Sequence, residues 1–232
     1  MAVPTIGDLD ADLAAFLLEA QRKGCMVRIF NGYKPIPYAR NVITTAFLAS
    51  ESSRLWMIDS DMVPRANTWG VLDVDADIAS ALYPEGRFAV RDGGPRVRMS
   101  AQRYDDIEDV ETFDEEFHPI PGDGVIDVSA TGTGCMVIQR RVLEDRKLVL
   151  GEENGTAIFF RNEFSPSGRY IRGSDIDFCL RAKALGYEVK VDTDAFCGHK
   201  KVVDLSRLAL ISEFASGRLP AEAMGGPNYV RI

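Results

Sequence analysis

From its first residues the chain switches between two hydrophobic rhythms. Ala2-Val3-Pro4 is a short apolar run of strand type, turned by Thr5-Ile6-Gly7-Asp8. Leu13, Phe16, Leu17 and Ala20 then fall at i, i+3, i+4 and i+7, one stripe of a helix that Lys23-Gly24 closes. Residues 26–30 form a compact apolar strand broken by Asn31-Gly32. The pattern predicts a helix over 38–50, with Ala39, Val42, Ile43, Ala46 and Phe47 on one face. Leu55-Trp56-Met57-Ile58 is continuously apolar, as strands covered on both faces are, and runs straight into Asp59-Ser60-Asp61. Pro64 predicts the opening of a short helix through residue 72, and 77–83 reads as another buried strand. Strands and helices taking turns over the first 83 residues specify an α/β fold, a mostly parallel central sheet flanked by helices.

The second half is more mixed. Residues 97–103 alternate as an edge strand does, and 125–130 and 135–139 read as strands around Gly132-Thr133-Gly134. That turn lacks the G-K-[ST] ending of a phosphate loop and suits close approach of backbone instead. Residues 140–146 predict a short helix. A second helix is expected over 174–185, with Ser174 as N-cap, Asp177 completing a capping box and Gly186 as the stop. Residues 187–191 form a strand, and Leu205, Leu208, Ile211 and Phe214 suggest a terminal helix.

The chain has 232 residues, 46% of them hydrophobic, enough for one sizeable core, and no linker divides it. A single domain over 1–232 is expected. No apolar run approaches a membrane span, and Met1-Ala2-Val3-Pro4-Thr5 lacks a signal peptide's basic flank, so a soluble, cytoplasmic protein is expected. Cys25, Cys135, Cys179 and Cys197 lie far apart without zinc spacing and read as reduced, mostly buried thiols. Net charge is −8, with much of the acid in residues 104–127 beside Pro119 and Pro121. That segment is expected to be a solvated, mobile loop, a lid over one side of a cleft. The acidity argues against duplex DNA as the main partner, since phosphate clamps need a basic face.

Asp59 and Asp61 carry the first candidate chemistry. In an extended segment, carboxylates two apart face the same side. Here they emerge at the carboxyl end of a buried strand, where open α/β sheets bind ligands. Neighbouring carboxylates repel unless a cation neutralises them, and Mg²⁺ or Mn²⁺ completed by substrate phosphates is a common solution. The plain alternative is that they end the strand and cap a turn. His199, next to Gly198 and Lys200-Lys201, is either a surface histidine or a third ligand favouring Mn²⁺. Asp175 and Asp177 suit a helix's first turn by electrostatics alone; the sharper reading makes Asp175 a general base. Arg40-Asn41 lies off the apolar stripe of its helix, so surface polarity explains it, with a nucleotide contact as the alternative.

Taken in order, these segments resemble the GT-A glycosyltransferases, the nucleotide-diphospho-sugar transferase fold, especially family 2 and its small phage and bacterial relatives. Val3-Pro4-Thr5 is similar to the opening strand whose end holds the nucleotide, and Pro37-Tyr38-Ala39-Arg40-Asn41 to the "ARN" helix start. Leu55-Trp56-Met57-Ile58-Asp59-Ser60-Asp61-Met62 resembles the family's strand and D-x-D metal motif. Thr133-Gly134-Cys135-Met136-Val137-Ile138 looks like "GxGCMLI", and Gly173-Ser174-Asp175-Ile176-Asp177-Phe178-Cys179-Leu180-Arg181-Ala182 like "xEDxDFCxRA". Gly198-His199-Lys200 resembles the closing "GHK". The acidic pair "ED" is Ser174-Asp175 here, and Asn31 stands where the family's acid after the second strand would be.

The resemblance implies a metal-dependent transfer of sugar from a nucleoside-diphosphate sugar, UDP-linked, to an acceptor hydroxyl with inversion. Asp175 would be the catalytic base. Pro4, Thr5, Asn31, Arg40, Asn41, Asp59, Ser60, Asp61 and Lys200 would hold the donor, and Asp59, Asp61 and His199 the Mn²⁺ or Mg²⁺. Residues 1–83 would form the nucleotide-binding half, 84–201 the acceptor half and 202–232 a terminal helix and tail. A glycan, a small molecule or a modified nucleobase would serve as acceptor. The rivals are a sugar-phosphate nucleotidyltransferase and a catalytically silent nucleotide-sugar-binding protein. Thr5-Ile6-Gly7-Asp8 lacks the glycine-rich, basic loop of the first, and the candidate acids and histidine speak against the second.

Overall fold

The computed structural model describes residues 1–91, 94–107, 109, 112–201, 212–213, 216, 218 and 230–231; for 86–91, 94–96 and 230–231 it describes the backbone only. In chain order the strands and helices are β1 (Ala2–Thr5), α1 (Ala11–Arg22), β2 (Arg28–Asn31), α2 (Ile36–Leu48), β3 (Arg54–Ile58), β4 (Met62–Val63) and β5 (Ile78–Ala81). There follow β6 (Pro84–Arg91), β7 (Gly94–Met99), β8 (Ala101–Gln102), β9 (Val125–Asp127), β10 (Ala130–Thr131), β11 (Cys135–Gln139) and α3 (Arg140–Glu144). The series ends with β12 (Gly151–Glu153), β13 (Thr156–Ile158), β14 (Glu163–Phe164), β15 (Tyr170–Arg172), α4 (Ser174–Ala184), β16 (Val189–Asp192), β17 (Gly198–His199) and β18 (Val230–Arg231). The terminal helix expected from Leu205, Leu208, Ile211 and Phe214 lies outside the described residues.

Among the described residues, seven strands form the central sheet in the order β2-β1-β3-β11-β5-β16-β9. β2, β1, β3, β5 and β16 share one direction, and β11 and β9 run against them. The sheet is therefore mostly parallel, flanked by helices. Successive side chains of its central strands face opposite ways and feed two cores. Leu55 and Met57 of β3, Met136 and Ile138 of β11, and Val189 and Val191 of β16 enter one core with Ile43 and Phe47 of α2 and Phe178 of α4. Trp56 and Ile58, Cys135 and Val137 enter the other, with Leu13, Phe16 and Leu17 of α1. This double coverage is why Leu55–Ile58 reads as unbroken apolar sequence.

Local chemistry sets the helix ends. Gly24 follows α1 at φ +85° and Gly186 follows α4 at φ +91°, the left-handed turn that stops a helix cheaply only at glycine. Arg140 closes α2 from a distance: its guanidinium donates to the carbonyls of Phe47 (3.2 Å), Leu48 (3.4 Å) and Ser50, and its Nε to Ser52 (2.8 Å).

Two local expectations are corrected. Pro64 does not open the helix after Asp61; Met62–Val63 is a strand, and a 3₁₀ helix begins at Ala66 behind Arg65, whose backbone N–H donates to Thr68 Oγ1 at 2.8 Å. The capping box at α4 does not form. Ser174 is the first helical residue, and its amide donates to Asn162 Oδ1 at 3.0 Å. Asp177 instead accepts from Arg181 Nε at 2.9 Å, one turn on. The acidic segment is largely exposed among its described residues and carries local hydrogen bonds: Tyr104 bridges Phe113, Asp105 N–H donates to the Thr112 carbonyl at 3.1 Å, and Asp114 accepts from the amides of Glu116 and Phe117.

Candidate active site

Parallel strands deliver their carboxyl ends to one edge, and the sequence motifs meet there. Thr5 ends β1 and Asn31 ends β2, paired in register. Asp59 follows β3, and Tyr83 follows β5 by two residues. Because β11 is reversed, the residue before it, Gly134, reaches the same edge, where its carbonyl accepts from Asp59 N–H at 3.1 Å. The N-terminus of α4 supplies Asp175 alongside. A cleft of about 710 Å³ opens here, lined among others by Asp59, Asp61, Tyr83, Gly134, Asp175 and His199.

Arg40 lies beneath this cleft, 6% exposed. Nη2 is 3.6 Å from Asp59 Oδ2, Nη1 is 3.7 Å from Asp175 Oδ2, and Nη1 donates to Ser174 Oγ at 2.9 Å. Burial works against the charge on Arg40, but Asp175 and Asp59 outweigh it and its pKa is raised. Asp59 is held above the usual carboxylate range, first by burial, with the charges of Asp61 and Asp175 adding to it against Arg40. Its Oδ1 is buried without a hydrogen-bond partner. An orphaned acceptor at a ligand-binding edge fits a hydroxyl or a cation that the protein itself does not provide.

Asp59 and Asp61 do not lie on an extended segment with a shared outlook. Met62 N–H donates to the Asp59 carbonyl at 3.1 Å, closing a turn around Ser60, and each carboxylate has its own counter-charge. Asp61 Oδ2 stands 3.1 Å from His199 Nε2 and 2.5 Å from Lys201 Nζ. Burial pushes Asp61 up, yet the hydrogen bonds from His199 and Lys201 prevail and hold it at about 2. The β4–β17 ladder, pairing His199 with Met62, brings these groups side by side.

His199 Nδ1 is 2.8 Å from the Pro84 carbonyl, which can only accept, so Nδ1 carries the proton. Nε2 then either presents a lone pair to Asp61 or bears a second proton. Two lone pairs at 3.1 Å call for a positive charge, supplied by an imidazolium proton or a metal ion. A carbonyl that orients one ring nitrogen while the other meets a carboxylate is the outer arrangement of metal-binding histidines. Among the described residues, no three His, Cys, Asp or Glu side chains are gathered into a ready-made metal cluster. Asp61 and His199 fit as two protein ligands, with Asp59 Oδ1 as the unfilled acceptor nearby.

Other expected residues stand elsewhere. Asn41 is 5% exposed, donates to the Phe160 carbonyl at 3.0 Å and accepts from the amides of Phe159 and Phe160, so its side chain braces the 159–160 backbone instead of facing the cleft. Lys200 Nζ is paired with Asp10 (2.5 Å) and Asp12 (3.2 Å) at the start of α1, and its neighbour Lys201 is the lysine in the cleft. Pro4 and Thr5 are buried, with Thr5 Oγ1 turning the loop through Gly7. Asn31 is exposed beside Thr5.

Tyr83 was not legible as a site residue. It lies within an apolar run and offers no motif, yet its hydroxyl accepts from Gly134 N–H at 3.0 Å in the cleft floor. Burial, then Asp175 and Asp59, raise its pKa well above the usual tyrosine range, so it stays neutral. It also explains the glycines: a Cβ at Gly132 would lie 2.0 Å from the Tyr83 hydroxyl, and one at Gly134 would lie 2.8 Å from Tyr83 Cζ.

No family model and no curated protein matches the chain. Among solved structures it is similar to A197 from STIV, at 16% identity and TM-score 0.50, covering 88% of this chain and 84% of that one. Fainter likenesses include GalNAc-T7 with UDP, GalNAc and Mn²⁺ (12% identity, TM-score 0.47, 88% of this chain and 38% of that one). Another is the inositol-1-phosphate CTP transferase from T. maritima (10% identity, TM-score 0.40, 94% and 77%). The likeness to A197 concerns the fold alone, and the other two carry no argument here.

Proposed function

We propose that the protein is a metal-dependent glycosyltransferase that moves a sugar from a UDP-linked donor to an acceptor hydroxyl with inversion at the anomeric carbon. The observation that carries this reading is Arg40, buried between Asp59 and Asp175 at 3.6 and 3.7 Å, which couples the turn after β3 to the start of α4. In this reading Thr5 and Asn31 border the nucleoside, Asp59 Oδ1 takes a donor hydroxyl, and Asp61 with His199 holds a divalent cation. That cation, when bound, supplies charge against the leaving diphosphate.

Asp175 opens onto the cleft and accepts the acceptor's hydroxyl proton. The acceptor oxygen bonds to the anomeric carbon as the bond from that carbon to the β-phosphate oxygen breaks, and its electron pair leaves on the diphosphate. Arg40 keeps Asp175 in place and balances its charge beside Asp59. Lys201, which lines the cleft beside Asp61, adds positive charge near the phosphates. The nucleotidyltransferase alternative has no basic, glycine-rich loop after β1, where Thr5 Oγ1 hydrogen-bonds with Gly7 instead.

The test is donor hydrolysis across a panel of nucleotide sugars with Mn²⁺ or Mg²⁺, which requires no known acceptor. Metal-dependent release of UDP supports the reading. Release of pyrophosphate from a nucleoside triphosphate and a sugar phosphate, without UDP-sugar turnover, would replace it.

A further inference from the structure

Two groups of charge divide the cleft. Asp59 is surrounded by Arg40, Asp61, Asp175 and His199. Tyr104, on the same cleft, has Arg98, Arg172 and Glu85 around it instead. The transfer chemistry makes no use of this second group. Counting Arg169, three arginines and Glu85 line it, with Glu163 paired to Arg172, in a chain whose net charge is −8. Local positive charge in an acidic protein points to what that part of the cleft binds.

The wall is also aromatic. The Arg98 guanidinium lies 4.5 Å from the Phe113 ring centroid, and Phe113 lies 5.4 Å from Tyr104. The Tyr104 hydroxyl donates to Gln102 Oε1 at 3.0 Å, which fixes the ring.

The arginines are under-bonded where they are buried. Arg98 and Arg172 side chains are 18% and 16% exposed. Arg172 Nη1 is buried without a hydrogen-bond partner, although Nε is held by Glu163. Arg98 Nε is 3.3 Å from Glu85 Oε2 but not aligned to donate to it. Arg169 is exposed and has no ion pair among the described residues. Buried guanidinium N–H groups without acceptors cost free energy, and a bound oxyanion removes that cost.

Resting on the glycosyltransferase reading, we infer that the acceptor is an anionic sugar, its ring along Tyr104 and Phe113 and its phosphate or carboxylate taken by Arg98, Arg169 and Arg172. Guanidinium forks match both oxyanions, and a sugar's C–H face packs on aromatic rings. Single-stranded nucleic acid also combines stacking with phosphate contacts, but the chain's acidity favours a small ligand.

Calorimetry on the full chain, with glucose 6-phosphate, glucuronate and uncharged glucose as probes, tests this without donor or metal. At least one anionic sugar should bind tenfold or more tightly than glucose, and the ratio between the two shows which oxyanion fits. Arg98→Gln and Arg169→Gln should each weaken anion binding about fivefold or more while leaving glucose affinity alone. Arg169 is exposed and has no ion pair among the described residues, so its variant is expected to fold even if Arg98→Gln does not. Equal affinity for glucose and the anions, no measurable anion binding, or undiminished anion binding in both variants overturns the inference. Tighter, arginine-dependent binding of oligothymidylate overturns the choice of a sugar. Mn²⁺-dependent UDP binding, measured in parallel, separates the two readings. If UDP binds and the anions do not, only this inference falls; if UDP fails, the transfer reading falls with it.

Discussion

His199 Nε2 lies 3.1 Å from Asp61 Oδ2 while its Nδ1 is anchored 2.8 Å from the Pro84 carbonyl, so the ring presents one defined nitrogen to one defined carboxylate. Under the proposed function this pair is the metal's protein half. Asp61→Asn and His199→Ala should each abolish Mn²⁺-dependent UDP binding in calorimetry, and EDTA should do the same to the unaltered chain. Unchanged metal-dependent affinity in both variants would remove the assignment.

Asp175 and Asp177 separate catalysis from stability. Asp175→Asn should lower transfer by about 10²- to 10⁴-fold, the usual cost of losing a general base, and spare donor binding. Asp177 is 8% exposed and holds Arg181. Asp177→Asn should therefore lower the melting temperature, at a cost of roughly 1–3 kcal/mol for leaving a part-buried charged donor poorly matched. Full turnover in Asp175→Asn would reverse the roles.

The two cleft aspartates predict opposite pH trends in metal-free protein. The Asp61 pKa is depressed from 3.8 to about 2, so its contribution to stability is present above 3.8 and lost as pH falls through about 2. The Asp59 pKa is raised, so its contribution is fully present below 3.8 and lost as pH rises through the folded value. Asp61→Asn should flatten the acid limb of a stability–pH profile, and Asp59→Asn the decline on its alkaline side. Identical profiles for the two variants would contradict the geometry.

Gly132→Ala forces a Cβ toward the Tyr83 hydroxyl, 2.0 Å away, and should destabilise by about 1–3 kcal/mol, as overpacking does. Adding Tyr83→Phe removes the atom in the way. The double variant should therefore melt higher than the sum of the two single effects predicts. Strict additivity would mean that some other contact dictates glycine there.

Arg140 serves four carbonyls between Phe47 and Ser52, and helix C-termini are costly to leave unserved. Arg140→Met keeps the stem over Phe47 and should still cost about 2 kcal/mol in chemical denaturation. A change under a few tenths would show that water replaces the guanidinium.

What could be read in advance followed from periodicity. The buried strands Arg54–Ile58, Ile78–Ala81 and Cys135–Gln139 and the helices Ala11–Arg22, Ile36–Leu48 and Ser174–Ala184 all bury long apolar patterns. The hairpins β12–β13 and β14–β15 were missed, because two- and three-residue strands carry little periodic signal, and of the β6–β7 hairpin only the edge strand over 97–103 was anticipated. Among the site groups, Asp59 and Asp61 stood out at the end of an apolar strand, Asp175 in the first turn of a helix and His199 beside Gly198 and two lysines, and all four line one cleft. Lys201 was overshadowed by Lys200, since a one-residue difference decides which side of a strand end faces Asp61. Arg98 and Arg172 came into the cleft through long-range folding that no local spacing reports.

The reversal of β11 has a practical side. β3 and β5 lead toward the cleft and β2 and β16 share their direction, so the turns that precede β2 and β16, at Gly24 and Gly186, lie at the opposite edge of the sheet. A surface linker or a fluorophore installed at either turn would mount the molecule by the edge of the sheet away from its cleft.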